Sequence, residues 1–239
     1  IIEKNKIDTI IHLASFTCVR ESIKKKQKYF KNYKSQIKFI ENVKKTNIRH
    51  FIFSSSLSVF EKNKFKKNLS PYSTYKLKIE KYLKKVSSKN FKVIILRYPN
   101  IIGSDPSGKL GENNNFISRI VPLFYKKLMK RKKIILYYDY RRKTYPSRNY
   151  MHVQDIANIN LKVLENLKKF KKKYHIFNIQ NNKEYSNFEV LKSLSKIINK
   201  KPFFSLKQIN KKESINQIYK SKDDILKLIK YKIKYDSLN

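Results

Sequence analysis

Short apolar runs alternate along the chain with longer stretches whose hydrophobic positions recur at helical spacing. "IDTIIHL" (Ile7–Leu13) reads as a buried strand, and a helical stretch follows it through "KFIENVKK" to about Lys45. "RHFIFSS" (Arg49–Ser55) is the next strand, followed by a loop and a helix within "SPYSTYKLKIEKYLKK" (Ser70–Lys85). "FKVIILRY" (Phe91–Tyr98) is apolar almost throughout, as a strand is when both faces of a parallel sheet are covered. Strands and helices in strict alternation, with crossovers of this length, predict an α/β doubly wound parallel sheet.

After Tyr98 the character changes. "PNIIGSDPSGKLGENNN" (Pro99–Asn115) holds all three glycines of the chain and two of its six prolines, so it reads as a long loop. Loops of that length on an ordered scaffold are usually functional. Beyond it come a helix at "FISRIVPLFYKKLMK", a strand at "KKIILYY" and an extended piece ending "RNYMHV". A helix from about Gln154, the strand "YHIFNIQ", the helix "NFEVLKSLSKIIN" and a tail helix near "SKDDILKLI" complete the pattern. With no repeat and no clear linker, the chain reads as one compact unit with a second lobe built from Asn100 onward.

Bulk numbers narrow the class. The 239 residues are enough for a sizeable core, and 40% hydrophobic with 13% aromatic residues argues for a folded protein. There is no apolar run long enough to span a membrane and no signal pattern at the start, which together with a lone cysteine, Cys18, fits a reducing cytoplasm. The formal charge of +40 invites a nucleic-acid reading. Its distribution argues otherwise, because lysines occur in almost every polar segment and no nucleic-acid-binding signature is present. Alanine occurs only twice, while Lys, Ile, Asn, Tyr and Phe abound. These are amino acids of A/T-rich codons, so genome composition accounts for the bias more cheaply than a partner does.

The candidate chemistry lies in "SPYSTYKLK", where Tyr72 and Lys76 stand one helical turn apart. An ammonium beside a phenol favours the phenolate, which turns a tyrosine into a usable base. Strand "RHFIFSS" runs into Ser54, Ser55 and Ser56 just before this helix. Ligands of open parallel sheets bind outside the carboxyl ends of the strands, where the serines, the Tyr-Lys helix and the loop after Tyr98 converge. A serine there can share a hydrogen bond with the oxygen that the tyrosine deprotonates. The competing reading is a serine-rich strand end making turn hydrogen bonds.

In this order the segments resemble a known family, the extended short-chain dehydrogenase/reductases of the NAD-dependent epimerase/dehydratase type, and within it the UDP-glucose 4-epimerases. "IDTIIHLASFTCVRES", "NIRHFIFSSSLSVF", "SPYSTYK", "LRYPNIIGSDPSGKLGE", "RNYMHVQDIA" and "YHIFNIQ" carry the likeness over nearly the whole chain. "GSDPSGKLGE" is the most specific of them, and Leu57 and Ser58 stand where a 4,6-dehydratase would carry acidic residues. The resemblance implies a Rossmann-like sheet that the chain enters at the fourth strand, lacking the first strands and their glycine-rich turn. Residues 1–99 would form a partial NAD-binding domain and 100–239 mainly a UDP-sugar-binding lobe, with segments from about 148 to 180 returning to the core.

What the resemblance implies about residues follows position by position. Tyr72 would be the base at the sugar 4-hydroxyl, with Lys76 lowering its pKa and Ser56 sharing the hydrogen bond. Asn32, Ala14, Ser54, Tyr98 and Pro99, together with Tyr72 and Lys76, would line the NAD site. Ser56, Asn100, Arg119, Arg148, Lys212 and Tyr219 would hold the UDP-sugar, the bulky Tyr219 pointing to a plain hexose. The implied activity is NAD-dependent 4-epimerisation of UDP-glucose and UDP-galactose through a 4-keto sugar, by a cytoplasmic homodimer with no metal. Two other classes stand beside it: an inactive epimerase-like relic that binds UDP-sugar or a partner, and a basic nucleic-acid binder.

Overall fold

In the computed structural model the chain runs β1 (Thr9–His12), α1 (Val19–Lys24), α2 (Lys26–Lys44), β2 (His50–Ser56), α3 (Pro71–Val86), β3 (Lys92–Tyr98) and β4 (Asn100–Ile102). It continues through α4 (Ile120–Met129), β5 (Ile134–Tyr138), β6 (Ser147–His152), α5 (Val153–Glu165), β7 (Tyr174–Asn178) and β8 (Glu184–Ser186). The series ends with α6 (Asn187–Ile198), β9 (Phe204–Gln208) and α7 (Ile225–Leu228). The residues described are 1–60, 69–112, 119–209 and 224–235. They form two compact units, one of 1–98, 159–179 and 224–231, the other of 99–158, 180–209 and 232–235.

The first unit is built on a parallel sheet of order β1-β2-β3-β7. The register pairs Phe51 with Val93 and Phe53 with Ile95, and these four pack with Ile40, Val43, Ile79 and Leu83 of α2 and α3. The alternate residues Ile52, Ile94 and Leu96 point to the other face and are buried too. That is why these strands read as unbroken apolar runs. The parallel sheet expected from the pattern is therefore present, with α2 and α3 as its crossovers.

Local chemistry fixes the helix ends. The Ser70 hydroxyl accepts from the Ser73 amide at 3.2 Å and Pro71 takes the first turn, so α3 starts one residue before Tyr72. The helical stretch expected to about Lys45 is present as two helices that part at Lys25, where φ −115° and ψ 55° leave the helical region.

The second unit holds the β4-β6-β8 sheet, the parallel β5-β9 pair and a core of Phe124, Leu128, Ile134, Leu136, Tyr150 and Leu191 among others. The segment read as a long loop from Pro99 opens with β4. Neither β8 nor β9 was expected. At the end of β6 the His152 imidazole stacks on Tyr235 at 4.6 Å and accepts from the Gln154 amide through Nδ1. Next to them the buried Asp155 carboxylate accepts from the Lys234 and Tyr235 amides, each at 3.0 Å.

Gly103 shows how tight this corner is. Its φ is +89°, and a Cβ there would lie 2.2 Å from the pinned His152 Nε2. Gly103→Ala is therefore expected to cost the second unit about 1–3 kcal/mol, read as a lowered urea midpoint. An unchanged midpoint would show that the imidazole swings aside freely.

Candidate functional site

The carboxyl ends of β1 and β2, the first turns of α3 and the middle of α2 meet around a narrow recess. Ser15, Asn32, Tyr29, Tyr72 and Lys76 line it. Lys76 is 5% exposed, its Nζ donates to the Ser54 carbonyl at 2.7 Å, and it lies 4.7 Å over the Phe53 ring. Burial lowers its pKa to about 8, and the Glu80 carboxylate one turn on works against that shift. Tyr72 is half-buried beside it, one turn closer to the helix start.

A wider cleft of about 370 Å³ adjoins the recess through shared walls at Ser15, Asn32 and Gln36, with His12, Ala14 and Phe39 lining its far side. Gln36 Nε2 donates to Asn32 Oδ1 at 2.8 Å and to Ser15 Oγ at 3.3 Å. Its Oε1 is thus left as the acceptor for His12 Nε2, 3.3 Å away, which fixes that imidazole as the Nε2–H tautomer. The loop between β1 and α1 is clasped by Tyr29, whose hydroxyl donates to the Cys18 carbonyl at 2.8 Å and accepts from its amide at 3.2 Å. Burial pushes the Tyr29 phenol up, so it stays a neutral clasp.

His12 has a consequence that can be measured. Burial lowers its pKa, the bond it donates to Gln36 opposes the shift, and the Lys76 charge adds to it. The folded state therefore binds fewer protons than the unfolded chain, whose histidine titrates near 6.5, and stability is lost as pH falls below about 6.5. His50, also lowered by burial, contributes with the same sign. The urea midpoint should fall between about pH 6.5 and 5, less steeply in His12→Gln. A midpoint flat over that range would remove this account.

The remaining residues singled out in the sequence fall as follows. Ser56 Oγ accepts from the Ser58 amide at 3.2 Å, capping the short turn after β2. Tyr98 is buried, and its hydroxyl donates to Asn160 Oδ1 at 2.9 Å, so its ring belongs to the core of the first unit. Pro99 joins β3 to β4. In the second unit, Asn100 of β4 donates to the Asn149 carbonyl at 3.3 Å, next to Arg148 of β6, whose Nη1 donates to the Ser147 carbonyl at 2.7 Å. Arg119 caps α4 in sequence and pairs with Glu112 at 3.3 Å. Lys212 and Tyr219 lie outside the described residues.

Sequence reasoning missed the buried supports. Glu80 accepts from Arg97 Nε at 2.9 Å and Nη2 at 2.6 Å, and from Ser55 Oγ. Its position four residues beyond Lys76 was the available signal, as was Gln36 four residues beyond Asn32. Both are readable as partners on one helix face once the first residue of each pair is suspected.

Chemically, the recess offers a phenol, a buried ammonium and two small hydrogen-bonding side chains, at the end of a parallel sheet where cofactors bind. Comparison with known proteins agrees with that class. A UDP-glucose 4-epimerase from Yersinia enterocolitica is 31% identical over 220 residues, 84% of this chain, and one from Erwinia amylovora is 30% identical over 216. The chain spans 63% of the length of these curated relatives. The structure of the Bifidobacterium longum UDP-glucose 4-epimerase, in complex with NAD+ and UDP, superposes with a TM-score of 0.84 at 27% identity. The match covers 98% of this chain and 74% of that one. The model of the NAD dependent epimerase/dehydratase family matches residues 1–179, and the chain belongs to that family.

Proposed function

We propose that this chain acts in the 4-epimerisation of a UDP-hexose, interconverting UDP-glucose and UDP-galactose with NAD as resident cofactor. The observation that carries the reading is the pair of Tyr72 and Lys76 at the start of α3, with the Lys76 ammonium anchored on the Ser54 carbonyl at the sheet's carboxyl edge.

The residues present fit the nicotinamide-ribose end of such a cofactor. The cleft of about 370 Å³ lies within the about 300–1,000 Å³ usual for ligand sites, and Ala14, Ser15 and Asn32 give it a small, neutral, polar wall. The pyrophosphate end asks for a glycine-rich turn, and the three glycines of these 239 residues all fall at 103–111. NAD, when bound, supplies a reversible hydride acceptor. Tyr72 takes the proton of the sugar 4-hydroxyl as the C4–H bond breaks, and returns it as a C4–H bond re-forms on the other face of the 4-keto sugar. Lys76 holds positive charge beside that oxygen and a ribose hydroxyl, and Ser56 hydrogen-bonds the same oxygen. In the second unit Asn100 and Arg148 hold the UDP phosphates, with Arg119 toward the rest of the nucleotide sugar.

The test is incubation of the protein with NAD and UDP-galactose, followed by separation of the two UDP-hexoses. Formation of UDP-glucose supports the reading, and a folded protein that forms none overturns it. The reading extends to a homodimer paired through α2 and α3, whose Phe30, Tyr33 and Tyr75 form an aromatic cluster flanked by Lys34 and Lys78. A monomer mass by sedimentation equilibrium at working concentration would end that part.

A further inference from the structure

Glu80 is 3% exposed, yet it is bonded from two different strands. Ser55 Oγ of β2 and Arg97 Nε of β3 both reach Oε1, and Arg97 Nη2 reaches Oε2. Ser55 and Arg97 are themselves opposite each other in the β2–β3 register, and the guanidinium lies 4.4 Å over the Phe60 ring. One carboxylate on α3 therefore ties the helix to the ends of both strands. The residue before Ser55 supplies the carbonyl that takes Lys76, and the residue after it is Ser56.

We propose that Glu80 is a positioning residue for the reaction: it locks Ser54–Ser56 against α3 and supplies the negative charge that offsets burial of the Lys76 ammonium. The inference rests on the epimerase reading for its catalytic consequence, but its electrostatic half stands on the geometry alone. A carboxylate paired only with Arg97 would need no bond to Ser55, and one serving only the strand end would need no place one turn from Lys76. The other groups around Lys76 do not replace it. From β1 comes His12, from α2 Tyr29 and Tyr33, and from α3 itself Tyr72 and Tyr75. Arg97 of β3 is a second cation on the same carboxylate. Among these described neighbours Glu80 is the one carboxylate.

The experiment uses Glu80→Gln, which removes the charge and keeps the shape, Glu80→Asp, which keeps the charge, and Ser55→Ala, which removes only the strand-end bond. For each, kcat and KM for UDP-galactose are measured from about pH 6 to 10, together with urea unfolding over the same range. Glu80→Gln should lower kcat about 10²-fold with little change in KM, since a misplaced constellation loses rate rather than binding. It should also move the alkaline limb of kcat down by about one pH unit, because Lys76 then loses its proton sooner. Glu80→Asp should restore the limb, and Ser55→Ala should lower kcat without moving it.

Unfolding gives the answer without turnover. Lys76 holds its proton less firmly folded than unfolded, so the native state gains stability as pH rises from about 8 toward 10.5. In Glu80→Gln that gain should begin at lower pH, and combining it with Lys76→Met should erase the difference. An unmoved limb, or the same pH-dependent difference with methionine at 76, overturns the proposal. If Glu80→Gln does not fold, an unchanged kcat in Ser55→Ala overturns it. A wild-type protein without epimerase activity removes the epimerase reading instead, and the unfolding comparison still decides the coupling.

Discussion

Tyr72→Phe should lower kcat for UDP-galactose epimerisation by about 10²–10⁴-fold while leaving the Kd for the UDP-sugar nearly unchanged. The range is what a positioned proton-transfer group contributes. The substitution removes one oxygen and leaves the ring in the recess it shares with Ser15, Asn32 and Lys76. The start of α3 is set by Ser70 and Pro71, so the backbone that carries position 72 does not depend on the hydroxyl. The phosphate-holding residues proposed for the nucleotide, Asn100 and Arg148, belong to the other unit and are untouched. The readouts are steady-state kinetics and calorimetric binding of UDP-galactose. Unchanged turnover would remove Tyr72 from the chemistry, and lost binding would make it a substrate-holding group instead.

Lys76→Met should have two opposite effects. Turnover should fall at least about 10²-fold, because the charge beside the reacting oxygen is gone. Stability should not fall with it. An ammonium whose pKa drops from 10.5 to about 8 is being held charged, at neutral pH, at a cost of about 3 kcal/mol. Methionine removes that cost and fills the same volume over Phe53, against a loss of about 1–3 kcal/mol for the Ser54 carbonyl left without its donor. The sign with pH is the sharper test. Wild type recovers stability as Lys76 deprotonates, so the variant's relative advantage should shrink by about 3 kcal/mol between pH 8 and 10.5. A difference that stays constant with pH would mean the ammonium is not buried in solution. An inactive protein more stable than its parent at pH 7 would be a direct case of stability given up for function.

Much of the first unit was legible because its strands state their environment. Phe51–Phe53 and Val93–Leu96 are buried on both faces, and only a covered parallel sheet calls for such runs. The three-residue strands β4 and β8 carry no period long enough to read, and each exists through its bonds to β6. Most of β9 is exposed, so nothing in "FSLKQ" distinguishes it from a loop except its partner β5. At the site, Tyr72 and Lys76 were reached by their spacing of one helical turn, Asn32 and Ala14 by the likeness of their segments to a family, and the four line two adjoining hollows in the structure. Tyr98 was reached the same way, but its hydroxyl is committed to Asn160. What sequence reasoning did not reach was the layer beneath, because Gln36, Glu80 and Arg97 look like ordinary helix and strand polar residues until their partners are placed.

Arg97 bears on how such a sequence can change over time. Of the 57 Lys and Arg residues only eight are arginine, so lysine is the default cation of this chain. A lysine at 97 would conserve the charge, but its single nitrogen cannot supply the two separate donors that reach Glu80 at 2.9 and 2.6 Å, nor the planar group that lies over Phe60. Compositional drift can rewrite a solvated surface at almost no cost in fitness. At position 97 the same exchange would break a two-point bond, so this arginine is a position to test for geometry rather than charge.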